Sequence, residues 1–225
     1  MNQPDTGAEH VIDRPGWHTA LLSCGILGAV LFTTVYFCFS VIAPNYFMMR
    51  QPISDLQLQP YGWIQSVNYI IAGLLVWAFA EGLRKELVSG FGVVSIPLFH
   101  VLTGLGTILL GLFTDRHTQL YIGAFTFLSL LASFFLLARR FASNPNWKGW
   151  AMATVLTTLF MIVLAGLFVN GMIHQRPFAG MLERLAVVTR LVWLFFFTAK
   201  LLGGRSLAEP VAKELEPGHQ SIPTP

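Results

Sequence analysis

Six long apolar stretches, each about the length of a membrane-crossing helix, alternate with short polar segments along almost the whole chain. They run Thr19–Ala43, Tyr61–Gly82, Phe91–Thr114, Thr118–Ala138, Trp150–Ile173 and Met181–Leu202. A bilayer core of ~30 Å takes about 20 apolar residues in a helix. Only a helix or a closed barrel satisfies its own backbone hydrogen bonds there. The pattern therefore predicts an all-α fold: a polytopic integral membrane protein, a bundle of six transmembrane helices over 19–203. Short connections make neighbouring helices antiparallel. The longest one, Pro44 to Pro60, is long enough to fold back over the bundle.

Composition narrows the alternatives. Hydrophobic residues make up 54% and charged ones 11%, whereas a soluble domain carries about 25% charged residues. Residues 1–18 hold Asp5, Glu9 and Asp13 against Arg14 and lack the basic start of a signal peptide. This segment and the proline-bearing tail 204–225 read as flexible cytoplasmic ends. Cys24 and Cys38 share the first helix and lie about 21 Å apart along it, beyond disulfide reach. Trp17, Trp63, Trp147 and Trp150 fall at span ends, as interfacial aromatic belts do.

Lys and Arg favour cytoplasmic loops. One side collects Arg14, Arg84, Lys85, Arg139, Arg140, Lys148, Lys200, Arg205 and Lys213; the other has Arg50, Arg116, Arg176 and Arg184. Both termini are therefore expected in the cytoplasm, with the protein in the cell (inner) membrane. The net charge of +3 reflects this asymmetry and does not suggest a nucleic-acid surface.

The chemistry to explain lies in polar residues within the spans, which are costly unless they pair or meet water. Gln65 and Asn68 are one helical turn apart on a shared face. Glu183 and Arg190 are seven residues apart, also on one face. With Asp115 they are expected to form a ligand-binding cluster in the outer half, near Asp55, His117, Asn170 and His174. Such a cluster suits a lipid headgroup or a small polar or anionic solute, with Arg190 as anion receptor. A structural hydrogen-bond network is the plain alternative. A hydrolytic metal site would need Asp115, His117, His174 and Glu183 to converge, although no pair of them has the H-x-x-x-H spacing of helical ligands. His100 stands apart and fits a packing role. Gly104, Thr107 and Gly111 form a small-residue face for close helix contact. No nucleophile elbow, Walker loop or dinucleotide fingerprint occurs, and no cofactor is expected. The partners expected are membrane lipids and the ligand; substrate and oligomeric state are not legible.

Several stretches together resemble a known family. They are Ser54-Asp55-Leu56, Tyr61-Gly62-Trp63-Ile64-Gln65-Ser66-Val67-Asn68-Tyr69, Gly73-Leu74-Leu75 and Gly82-Leu83-Arg84. Further along come Gly104-x-Gly106, Gly111-Leu112-Phe113 with Asp115, Arg139-Arg140-Phe141 before Trp147-x-x-Trp150, and Glu183-Arg184 before Trp193. In order and spacing they resemble the prokaryotic six-span membrane family catalogued as domain of unknown function 998, over roughly residues 19–203. The resemblance implies a six-span membrane protein and supplies no reaction. Related sequences tend to carry two histidines four apart at the start of span four, where this chain has His117 and Tyr121.

Overall fold

The computed structural model describes residues 15–147, 149–204 and Leu207. The segments read as flexible ends lie largely outside these residues. Six helices are long and apolar enough to cross a membrane: α1 (Gly16–Ile42), α2 (Trp63–Glu86), α3 (Ser95–Leu112), α4 (Arg116–Ala142), α5 (Trp150–Ile173) and α6 (Ala179–Leu202). The chain is a multi-pass membrane protein. Each helix packs chiefly against its neighbours in sequence, and α1 closes on α6. The result is a ring, with the ends of α1 and α6 that lead to the termini on one side (the termini end) and the 43–62 connection on the other (the cap end).

The helix ends differ from the hydropathy reading for local reasons. Helix α2 continues past Gly82 because Leu83 and Glu86 are buried, the latter with its carboxylate 3.5 Å from His18 Nε2. Helix α3 starts at Ser95 and not at Phe91, since Gly92 adopts φ +81 in the preceding turn. Helix α4 starts at Arg116, where the Asp115 side chain accepts a hydrogen bond from Thr118 N at 2.9 Å. It continues through Arg139 and Arg140 to Ala142.

Two cores hold the ring. At the termini end an aromatic cluster fills the middle: Phe134 and Trp193 pack at 4.2 Å between ring centroids, Trp193 and Phe197 at 4.8 Å, and Phe141 stacks on Trp147 at 4.7 Å. Trp147 is fully buried here, so it is a core residue, unlike exposed Trp17 and Trp63. At the cap end, Phe32, Tyr36 and Phe39 of α1 pack with Tyr69 of α2 and with Tyr46, Ile53 and Leu56 of the cap. The cap contains a short 3-10 helix, Ile53–Leu58, whose Ile53 and Leu56 are buried. It does fold back over the bundle.

Candidate functional site

Between the two cores lies a cavity of about 970 Å3 lined by all six helices and the cap. It begins at the cap end among Ser54, Asp55, Arg116, His117 and Gln119 and reaches inward to Phe79, Phe134 and Leu194, where the aromatic cluster forms its floor. Along α6 it extends from Glu183 to Leu194, roughly 16 Å at 1.5 Å per residue. Its walls are mostly apolar, with polar groups concentrated at the mouth and a cation deeper in.

That cation is Arg190, midway along the 24-residue α6. It lines the cavity and makes no hydrogen bond or ion pair with any described residue. Glu183, two turns nearer the cap, also lines the cavity, but its Oε2 accepts from Ile53 N at 2.7 Å. The two residues share a face as the spacing requires, yet they do not pair, because the carboxylate is engaged in holding the cap.

The cap is latched at three further points. Arg184 Nη1 donates to Gln51 O (2.9 Å) and Gly180 O (2.8 Å), and its Nη2 donates to the Tyr46 hydroxyl. Tyr46 in turn donates to Pro52 O at 2.8 Å; burial pushes its phenol up to about 12, so it stays neutral beside the guanidinium. A Cβ on Gly180 would lie 2.3 Å from Gln51 O, so only glycine lets the cap seat against α6. Gln57 bridges to Ser66 Oγ (3.0 Å) and Leu110 O (2.9 Å) and accepts from Gln119. Asp55 meets Arg116 at 3.2 Å.

Burial raises the Asp55 carboxyl above its ordinary value of 3.8, with Arg116 opposing the shift. The neutral acid is thus favoured on folding relative to the unfolded chain. Its contribution to stability is fully present at low pH and fades as pH rises through the raised pKa. Asp55→Asn is accordingly expected to leave neutral-pH stability unchanged or slightly higher and to flatten the melting temperature against pH just above the ordinary carboxylate range. Melting curves of both proteins across pH 3–8 (a range of about five units) check this; a clear loss of neutral-pH stability in the variant would show that the ion pair dominates.

The remaining sequence-derived candidates sit elsewhere. Gln65 is completely buried and accepts from Asn68 Nδ2 at 3.3 Å, while the same Nδ2 donates to Phe32 O at 3.2 Å. The pair ties α2 to α1 and does not line the cavity. Asp115 is exposed and serves as the cap of α4. His174 is exposed, its Nδ1 bonded to Asn170 O at 2.9 Å. His117 lines the cavity mouth. Among the described residues no group of three or more His, Cys, Asp or Glu is placed to hold a metal ion. His100 is buried between Ile96 O (3.0 Å) and Ser133 Oγ (2.8 Å), and it borders the cavity. Arg116, Gln119 and Gln57 were not among the sequence-derived candidates. They come together only through the fold of the cap, and their spacing in the chain carries no signal of it.

No curated protein and no solved structure matches this chain. Residues 26–200, most of the helical ring, match the family described as "Protein of unknown function (DUF998)", in agreement with the resemblance seen in the sequence. The chain belongs to that family.

Proposed function

We propose that this protein binds an anionic ligand, a lipid headgroup or a small polar solute, in its central cavity without covalent chemistry, as a receptor or carrier in the cell (inner) membrane. Both termini lie in the cytoplasm in this reading, and the cap faces outward. The observation that carries it is Arg190. On insertion scales a mid-span arginine costs about 2.5–3.5 kcal/mol, and a packed structural arginine offsets this by pairing. Arg190 faces open space, unpaired among the described residues. An anion held there recovers that cost, and in the low-dielectric cavity the contact is stronger than in water. The orientation rests on Arg84, Lys85, Arg139, Arg140 and Lys200 at the termini end.

The test is melting of purified wild type and Arg190→Gln against a panel of anionic lipids, inorganic phosphate and small carboxylates. A ligand present at 100 times its Kd stabilises the native state by about 2.7 kcal/mol. We expect at least one anion to raise the wild-type melting temperature and none to raise that of Arg190→Gln, while the unliganded variant melts at or above wild type. A variant that melts several degrees lower, with no anion shifting wild type, would make Arg190 structural.

A further inference from the structure

We infer that the cavity is filled from the side, out of the bilayer, and that its ligand is a single-chain amphiphile with an anionic head; this rests on the binding role proposed above. The ring is not equally closed all round. Beside α1, α2 and α6, the cap end is packed by the aromatic residues of the second core. Across the ring, α4 and α5 are joined by a short connection at the termini end, and their buried residues lie in that half: Thr126 to Phe141 on α4, and Thr154 to Leu164 on α5. Toward the cap they separate. No residue of α4 before Thr126 is buried, and on α5 Gly171 alone is buried beyond Leu164, packing against Ala179 of α6.

Residues along this separation line the cavity and are exposed: Leu120 and Ala124 on α4, Gly166 and Val169 on α5. A Cβ built on Gly123 or on Gly166 meets nothing within 4 Å, so both glycines face open space. A lateral cleft between the cap-side halves of α4 and α5 therefore joins the cavity to the acyl-chain region of the adjoining leaflet. The axial mouth, by contrast, is bordered by polar groups of the cap and of α4: Ser54, Asp55, Arg116 and Gln119.

The shape and charge of the space select the occupant. At about 30 Å3 for a water-sized group, 970 Å3 holds on the order of thirty such groups. One alkyl chain with its head fits that count; a two-chain phospholipid exceeds it. Helical side chains incline toward the helix N-terminus, which in α6 is the cap end, so the Arg190 guanidinium lies above its backbone, within reach of a head drawn in through the cleft. The chain then lies inside, against the apolar walls of α4 and α5. The shared head chemistry is a carboxylate or a phosphate.

The experiment uses the full chain in lipid nanodiscs, probed with palmitate, single-chain lysophosphatidate, two-chain phosphatidylglycerol, acetate and inorganic phosphate. Bound ligand is read by native mass spectrometry, and loading rates by stopped flow with a fluorescent fatty acid. Palmitate or lysophosphatidate is expected to bind wild type and to lose at least tenfold in Arg190→Gln, and which of the two binds identifies the head. Acetate, inorganic phosphate and phosphatidylglycerol are expected not to bind. Gly166→Trp, filling the cleft, is expected to slow loading at least tenfold; Gly123→Trp repeats the test from the other wall should the first variant fold poorly. Arg190-dependent binding of acetate or inorganic phosphate, or wild-type loading rates in both tryptophan variants, overturns side entry and leaves the binding role standing. Arg190-dependent binding of phosphatidylglycerol overturns the single-chain assignment alone. No Arg190-dependent binding of any probe overturns both readings.

Discussion

Arg140→Ala is expected to lower the unfolding free energy by about 3–5 kcal/mol, since each hydrogen bond from a charged donor contributes about 1.5–3 kcal/mol. The guanidinium is fully buried in the last turn of α4. Its Nη1 donates to Phe91 O at 2.5 Å and its Nη2 to Ser89 O at 2.6 Å, both in the connection before α3. Its Nε and Nη2 reach Leu207 O beyond α6 at 3.0 and 2.7 Å. One planar fork thus joins three parts of the chain that are distant in sequence. Truncation leaves three carbonyls to find new donors, that of Leu207 buried and those of Ser89 and Phe91 partly so. Arg140→Lys is expected to recover less than half of the loss, because an ammonium cannot reach three carbonyls in that fixed geometry. Denaturant or thermal unfolding in detergent measures both variants. A melting temperature within about two degrees of wild type for Arg140→Ala would mean that the carbonyls are satisfied by other donors, against the accounting of buried backbone groups.

Arg140 also shows where sequence reasoning stops. The six helices were legible because the bilayer leaves few other ways to satisfy an apolar backbone. Their ends were less so, because charged residues are read as loop signals, whereas Glu86 and Arg140 are buried in continuing helices. In a charge count Arg140 is one cation among nine on its side; its role depends on carbonyls 49 to 67 residues away. The same division applies to the site. Arg190 stood out as a costly mid-span charge. The carboxylates grouped with it are engaged elsewhere: Asp115 is committed to Thr118 N, a capping arrangement visible in Asp115-Arg116-His117-Thr118, and Glu183 to Ile53 N, which no local pattern reveals. Gln65 and Asn68 do meet, but they bond to each other and to Phe32 O inside the wall. A cavity is a property of how helices diverge, and hydropathy is nearly blind to divergence.

Gly104→Leu is expected to cost a net of about 2 kcal/mol, since overpacking costs 1–3 kcal/mol, here at the upper end because backbone stands in the way, and glycine gives back at most about 1 kcal/mol of helix propensity when replaced. Helices α2 and α3 touch backbone to backbone here. A Cβ on Gly104 would lie 2.8 Å from Gly73 O and 2.4 Å from Trp77 Cδ1, and a Cβ on Gly73 would lie 2.6 Å from Gly104 O. About two turns further, a Cβ on Gly111 would lie 2.6 Å from Ser66 O. Apart from the Trp77 ring, these obstacles are main-chain atoms, which yield only if the helices part. Parting would also strain the Trp77 Nε1 bond to Val101 O at 2.6 Å. The control is Gly123→Ala on α4, where the added methyl meets nothing within 4 Å and the propensity gain should appear as a rise in melting temperature. Opposite signs for the same residue type on adjacent helices are the expected result. A neutral Gly104→Leu would show that α2 and α3 slide apart at little cost, and the cavity would then lack a rigid wall against which α4 and α5 can diverge.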